Sequence, residues 1–99
     1  MKQRLYCIIR KDLTYGQITA QACHAATQYL IDNPGTKWDN GFIICLEVEN
    51  EACLIELKDK LLKEEKLHSK FHEPDMDNSL TAISSLDCGK TFKHLKLLR

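Results

Sequence analysis

The sequence predicts an α/β protein with three layers, α/β/α, around a mixed four-stranded sheet. Short apolar runs alternate along the chain with longer segments of helical periodicity, the order typical of a sheet with crossover helices. The last two strand-like segments follow one another across a short polar turn, which predicts an antiparallel hairpin and therefore a mixed sheet. A chain of 99 residues suits one domain, which we expect to span residues 1–99.

The first two strands and the helix between them follow from apolar runs and a stop signal. Residues 5–9 and 42–46 are continuous apolar runs, typical of strands buried on both faces. A helix is predicted from about residue 16 to residue 32, because Asn33, Pro34 and Gly35 cannot continue it. Its apolar stripe, at helical spacing, is expected to pack on the sheet. The stripe consists of Ile18, Ala22, Ala25, Ala26, Tyr29 and Leu30.

The second half of the chain predicts another helix and a hairpin. Asn50 suits the N-cap of a helix over about residues 50–66, whose buried edge we expect to consist of Leu54, Leu57 and Leu61. Strands are predicted at residues 69–73 and 79–86, with a turn at residues 74–78. The tail from residue 88 is expected to hold a short helix, followed by the segment 94–98.

Charge and cysteine usage exclude several classes of protein. Fourteen Lys and Arg balance fourteen Asp and Glu, so a nucleic-acid partner needs a local basic patch, and a DNA partner is not expected. The five cysteines are odd in number and form no C-x-x-C pair, which favours reduced thiols in the cytoplasm over disulfides or a zinc site. No targeting or membrane segment is predicted.

A polar stripe along the first helix is the first candidate for chemistry. Gln17, Gln21, His24 and Gln28 share one side of the helix. Three amides and one imidazole are unusual on a solvated helix face, where Lys and Glu are common. Two structural explanations stay open. Thr14 and Gln17 match a capping box, and His24 suits a partly buried histidine bonded to a backbone carbonyl.

The acidic turn that begins at Glu73 is the second candidate. Pro74 restricts Glu73 to an extended conformation, so Glu73 lies at the very end of its strand. Strand ends are where α/β sheets bind ligands, and a carboxylate there can act as a general base. The alternative is a polar turn in which Asp77 and Asn78 fix the hairpin. A calcium loop is disfavoured, because the glycine and the final glutamate of such loops are missing.

Basic residues occupy both ends of the sequence, where no acidic residue precedes Asp12 and none follows Asp87. They are Lys2, Arg4, Arg10 and Lys11 near the start, and Lys90, Lys93, Lys96 and Arg99 near the finish. If the two groups meet in space, they form a basic patch suited to phosphates. Solvated charges without a partner explain them equally well.

The order of these motifs resembles the type II peptidyl-tRNA hydrolases of archaea and eukaryotes. Residues 16–26 (GQITAQACHAA) are similar to the family's G-K-x-A-A-Q-x-x-H-A-A helix, and residues 10–13 (RKDL) to its V-R-x-D-L segment. Residues 79–83 (SLTAI) resemble its S-x-T strand, and residues 94–98 (HLKLL) its H-L-K-L ending. The resemblance implies the family's fold, a homodimer, and hydrolysis of the ester between a peptide and the 3′ ribose of tRNA, without metal or cofactor.

Two departures from the family pattern indicate a divergent branch. Gln17 stands where the family has a lysine implicated in catalysis. The family's D-A-G-R-T loop is replaced by residues 73–77, which put Glu73 in place of the aspartate. A glutamine keeps a hydrogen bond and loses the positive charge, so weaker catalysis or a different substrate is expected.

The resemblance also implies roles for particular residues. Glu73, together with His24, would activate water. The amides of Gln17 and Gln21 would donate to the developing oxyanion, and Thr81 would orient the acid. The tRNA phosphates would be bound by Arg10, Lys11, Lys90, Lys93 and Lys96. Two alternatives stay open: an RNA- or protein-binding module that has lost catalysis, and a hydrolase of another acylated small molecule, which would need a deep apolar pocket.

Overall fold

The structure is a computed structural model that describes residues 3–99. Its elements are β1 (Arg4–Arg10), α1 (Tyr15–Asp32), β2 (Ile43–Val48), α2 (Glu51–Lys63), β3 (Ser69–Glu73), a 3₁₀ turn (Pro74–Met76), β4 (Ser79–Asp87) and β5 (Lys96–Leu97). Lys2, one of the predicted basic residues, lies outside the described residues. Asn50 caps α2 as predicted, because its side chain accepts the N–H of Cys53.

One mixed sheet joins the strands in the order β3-β4-β1-β2-β5, which confirms the predicted α/β class. β1 and β2 are parallel, whereas β4 is antiparallel to both β1 and β3. The prediction of four strands is wrong, because Lys96 and Leu97 pair with Glu47 and Leu46 as a fifth strand. A strand of two residues is too short to leave an alternating pattern in the sequence.

The short helix expected in the tail does not form, and the described residues from 88 to 95 make turns instead. The backbone N–H groups of Gly89 and Thr91 donate to the Asp87 carboxylate. Gly89 has a φ of 105°, a conformation that a right-handed helix excludes. Phe92 is then buried against the ring of Tyr6. The turn therefore anchors the tail to the sheet.

Alternate residues of β1 contribute to two apolar clusters, as expected for a strand covered on both faces. Leu5, Cys7 and Ile9 pack with α1, whereas Tyr6 and Ile8 pack with α2. The predicted buried edge of α2 is confirmed, because Leu54, Leu57 and Leu61 are all buried.

The apolar stripe of α1 differs from the prediction at its edges. Ile18, Ala25 and Tyr29 are buried, but Leu30 is 42% exposed. Gln21, assigned by its spacing to the polar stripe, is only 2% exposed. An amide that is buried against a sheet needs polar partners, and those partners define the candidate site.

Candidate active site

Four polar side chains from distant parts of the chain come together between α1, β3 and β4. The buried hydroxyl of Thr81 donates to Oε1 of Gln21 across 2.6 Å. Nε2 of Gln21 donates to Oε1 of Glu73 across 2.8 Å. Nε2 of His24 lies 3.9 Å from the same Glu73 oxygen. A hydrogen-bond chain therefore runs from β4 through α1 to a carboxylate, with an imidazole beside its end.

A β-bulge in β4 aims Thr81 at α1. Phe71 lies opposite Ala82 and His72 lies opposite Leu80, so Thr81 is an extra residue in β4. In a regular strand, Thr81 and Ala82 would face opposite sides of the sheet. Here Ala82 packs in the α1 cluster and Thr81 bonds to Gln21 on the same side. The bulge thus makes the hydrogen-bond chain possible.

The partners of Gln21 determine the orientation of its amide. The ionised carboxylate of Glu73 only accepts hydrogen bonds, so it must face Nε2, and Oε1 is left to accept from Thr81. Both ends of this buried amide are therefore occupied. Gln21 orients the carboxylate and does not face solvent, although its predicted role is that of an oxyanion donor.

The surroundings of Glu73 favour its ionised form. The amide hydrogen bond from Gln21 lowers the pKa of Glu73, and the backbone N–H of Asp75, 3.3 Å from Oε2, lowers it further. Desolvation opposes this shift, and the nearby His24 adds to it. The side chain of Glu73 is 14% exposed, so the anion still reaches solvent. At neutral pH Glu73 is a persistent negative charge at the end of β3.

The ring of His24 is held by stacking rather than by a backbone carbonyl. It lies on Phe71 with 4.3 Å between ring centroids and 13° between ring planes. Within residues 3–99, His24 makes no hydrogen bond to a backbone carbonyl, and its side chain is 45% exposed. His24 is therefore available to a ligand in solution. Phe71 was missed in the sequence, although it lies two residues before Glu73 and so on the same face of β3.

Gln17 forms the capping box that its spacing also suggested. The N–H of Thr14 donates to Oε1 of Gln17 across 2.9 Å, and the N–H of Gln17 donates to Thr14 Oγ1 across 3.2 Å. Gln17 lies one turn before Gln21 on the same side of α1 but does not join the chain to Glu73. Its Nε2 has no partner among residues 3–99 and stays exposed to solvent.

Two of the predicted phosphate-binding residues are paired with acids. The guanidinium of Arg10 donates to both carboxylate oxygens of Asp12, at 2.7 and 2.8 Å, and this contact raises the pKa of Arg10. Nζ of Lys11 lies 3.1 Å from Glu49 and 3.2 Å from Glu47, and both contacts raise the pKa of Lys11. The acids that oppose Lys11 come from β2 and the residue after it, so they were invisible as sequence neighbours.

The remaining cations fall into separate places. Lys96 and Arg99 line a cleft with Lys11. Lys90 follows Gly89, which lies beside Arg4 at the opposite end of β1. The two ends of β1 are about 20 Å apart at the usual rise of a strand. Lys93 is exposed in the turn between the two. Among residues 3–99, the basic ends of the chain therefore do not form one continuous patch.

Neither a clustered metal site nor a membrane helix is found in residues 3–99. No group of three or more His, Cys, Asp or Glu side chains in this part of the chain is placed to hold a metal ion. No helix there is long and apolar enough to cross a membrane.

In an α/β domain, an ionised carboxylate beside an imidazole at a strand end can carry out acid–base chemistry on a bound ligand. The comparison with protein families identifies which domain this is. The family model described as peptidyl-tRNA hydrolase PTH2 matches residues 3–98, and the chain belongs to this family. The family resemblance predicted from the helix and strand motifs is thereby confirmed.

The comparison with solved structures supports the fold. A protein of unknown function from Agrobacterium tumefaciens strain C58 aligns with a TM-score of 0.71, covering 100% of this chain and 99% of that chain. The two sequences are 13% identical, so this likeness concerns the fold alone. The comparison with curated proteins gave no match.

Proposed function

We propose that this protein hydrolyses the ester between the peptide and the 3′ ribose of peptidyl-tRNA. One observation carries the proposal: in a member of the PTH2 family, the hydrogen-bond chain from Thr81 through Gln21 to Glu73 ends beside His24. An imidazole next to a fixed carboxylate provides a proton acceptor and a counter-charge for the attack of water on an ester.

In the proposed mechanism, neutral His24 removes a proton from a water molecule as the water oxygen attacks the ester carbonyl. Glu73 stabilises the imidazolium that forms, because its carboxylate lies 3.9 Å from Nε2. The lowered pKa of Glu73 makes it a weak base and a persistent anion, which suits this role. When the ester bond breaks, the proton passes from His24 to the departing 3′ oxygen of the ribose.

We assign stabilisation of the oxyanion to the side-chain amide of Gln17. Its Oε1 is held by the N–H of Thr14, so its unpartnered Nε2 is presented on the side of α1 that carries His24. A neutral amide stabilises an anion less than an ammonium group does, by about 1 kcal/mol. We therefore expect slower catalysis than a lysine at this position would support.

We assign binding of the tRNA phosphates to the exposed lysines. Lys96 lies in the cleft with Lys11 and Arg99, at the end of the sheet where β3 also ends. Lys90 and Lys93 make no ion pair within residues 3–99, so they can contact the nucleic acid further from the ester. From the family resemblance we also propose a homodimer that acts in the cytoplasm.

A catalytically inactive RNA-binding module is the second candidate. Its support is Gln17, which replaces the family's lysine and is engaged in the helix cap. A hydrolase of other small molecules has less support, because the cleft lined by Val48, Leu57 and Leu95 lies against the α2 cluster, across the sheet from Glu73.

The test is release of a labelled N-acetylaminoacyl group from tRNA by the wild-type protein and by Glu73→Ala. We expect the substitution to lower kcat by about 100-fold or more. Glu56→Ala, on the exposed side of α2, serves as a matched control and should leave the rate unchanged. An unaltered rate in Glu73→Ala would overturn the assignment of the active site to Glu73. No turnover, with salt-sensitive tRNA binding that Lys96→Ala weakens, would support the binding module.

A further inference from the structure

The outer edge of β3 carries backbone groups that point away from the sheet. β3 is the last strand on its side and, within residues 3–99, pairs only with β4. In an antiparallel pair, successive residues alternate between facing the partner strand and facing away. The C=O of Phe71 lies 3.3 Å from the Thr81 hydroxyl, and the C=O of Glu73 accepts the N–H of Asn78, so both face β4.

Lys70 and His72 alternate with Phe71 and Glu73, so their N–H and C=O groups face outward. The hydrogen bonds of Leu80 in β4 agree with an outward direction of the His72 backbone groups. Leu80, which lies opposite His72, donates its N–H to Glu51, and its C=O is directed to Arg10. Neither group is left for His72. An outward row of unpaired backbone groups is a template for an added strand.

We propose that this edge binds the peptide of the substrate as an additional strand and so delivers the ester to Glu73. The inference rests on the function proposed above. The edge is continuous with the site, because Glu73 is the last residue of β3. Backbone hydrogen bonds also suit a substrate whose peptide varies in sequence, since they do not depend on side chains.

The position of the ester determines the direction of the added strand. The ester lies at the carboxyl end of the peptide, and Glu73 lies at the carboxyl end of β3. The bound peptide must therefore run parallel to β3. A neighbouring strand lies about 5 Å away, so a residue opposite Glu73 has its carbonyl within reach of the site.

The register follows from the slanted bonds of a parallel pair. The esterified residue, counted as residue 1, lies opposite Glu73 and donates its N–H to the C=O of His72. Residue 3 lies opposite Phe71, donates its N–H to the C=O of Lys70 and accepts from the N–H of His72. The N–H of residue 2 points away from β3. An N-acetylated peptide of three residues therefore gains the bond from its third N–H to the C=O of Lys70, whereas the acetyl carbonyl of an N-acetylated dipeptide already accepts from the N–H of His72.

A second copy of the chain is the competing occupant of this edge. A charged residue on an edge strand disfavours pairing between identical strands, and Lys70, the second of the five residues of β3, is exposed. A substrate peptide needs to satisfy only the few groups next to the site. The structure thus favours the peptide over a second β3.

The decisive experiment varies the substrate and uses the unmodified protein. N-acetylated dialanyl- and trialanyl-tRNA are compared with two trialanyl-tRNA substrates, N-methylated at residue 3 or at residue 2. We expect kcat/KM to rise about tenfold from two residues to three, and N-methylation at residue 3 to remove the gain. N-methylation at residue 2 is the matched control and should have little effect. Equal rates for both methylated substrates and their parent would overturn the proposal and leave the hydrolase function standing.

A protein variant tests the same edge from the other side. His72→Pro removes an outward N–H and leaves the bonds to β4 intact, whereas His72→Ala keeps the N–H. We expect only His72→Pro to lower kcat/KM for the dialanyl and trialanyl substrates relative to that for N-acetylaminoacyl-tRNA, whose acetyl carbonyl does not reach the His72 N–H. If His72→Pro dissociates a dimer and leaves these kcat/KM ratios unchanged, the edge belongs to a second copy and the proposal fails. A wild-type protein that hydrolyses none of these substrates would refute the proposed function itself, and this inference with it.

Discussion

Two carboxylates at opposite ends of the sheet differ in how completely they are bonded. Asp87, at the end of β4, accepts from Lys66 at 2.8 Å, from the N–H groups of Gly89 and Thr91, and from the Thr91 hydroxyl at 3.0 Å. It is 7% exposed. Burial raises the pKa of Asp87, but these hydrogen bonds outweigh burial and lower it to about 2.

Glu73 also has a lowered pKa, but its bonding is incomplete. Oε1 accepts from Gln21, Oε2 has one long contact with the N–H of Asp75, and His24 stands 3.9 Å away. The ionised form is favoured, and lone pairs remain for a ligand. A carboxylate whose hydrogen-bonding capacity is filled by the chain itself, like that of Asp87, stabilises the fold. Glu73, which has unused capacity to accept hydrogen bonds and lies beside an exposed imidazole, can contact a ligand.

The largest effect among the positioning residues is expected for Gln21→Leu. The substitution removes the amide that orients Glu73, and we expect kcat to fall about 100-fold, as for other misplaced catalytic groups. The pKa of Glu73 should rise, because the bond from Gln21 is the main cause of its lowering. Carbon-13 NMR titration of the Glu73 carboxylate measures this shift. An unchanged pKa would contradict the positioning role.

Asp87→Asn should change stability and leave activity intact. The lowered pKa of Asp87 corresponds to about 2 kcal/mol of unfolding free energy at neutral pH, which the amide loses. Urea unfolding at pH 7 measures the difference. A comparable fall in kcat of the folded variant would show that the two ends of the sheet are not independent.

The pH dependence of the unfolding free energy should also report the ionisation of Asp87. Its folded pKa lies below its unfolded value, so its contribution is present above about pH 4 and is lost as the pH falls toward 2. We expect the unfolding free energy of the wild type to decrease more steeply over this interval than that of Asp87→Asn. Parallel curves for the two proteins would rule out this contribution.

Gln17→Lys should have the smallest effects, in opposite directions. The lysine restores the positive charge typical of the family, and we expect a rate increase of up to about tenfold. It cannot accept the N–H of Thr14, so about 1 kcal/mol of unfolding free energy is lost with the cap. Gln17→Ala is the control: it loses the cap without gaining charge. A slower Gln17→Lys enzyme would refute the oxyanion assignment.

The local parts of the fold could be predicted from the sequence. Continuous apolar runs marked β1 and β2, and Asn50 marked the start of α2, because these signals come from neighbouring residues. β5 could not be predicted, since its two residues are defined only by their pairing with β2. The turn after Asp87 depends on a carboxylate that collects backbone donors, which a helical pattern does not reveal.

The residues of the candidate site could be singled out from the sequence, but their arrangement could not. Glu73, His24 and Gln21 stood out by residue type and position. The inward direction of Gln21 follows from Thr81, 60 residues away, and from a bulge that exists only where β3 and β4 pair. Lys11 was misjudged as unopposed for the same reason, since Glu47 and Glu49 approach it from β2 and the residue after it.

The most direct measurement compares single-turnover hydrolysis of N-acetylaminoacyl-tRNA by Glu73→Gln and Asp87→Asn with that of the wild type. Both substitutions replace a carboxylate with an amide of similar size. We expect Glu73→Gln to lower the rate by about 10²–10⁴-fold. Asp87→Asn should stay within about twofold at a temperature where it is folded. Equal losses in both variants, or a wild-type rate in Glu73→Gln, would contradict the assignment of catalysis to the Glu73 end of the sheet.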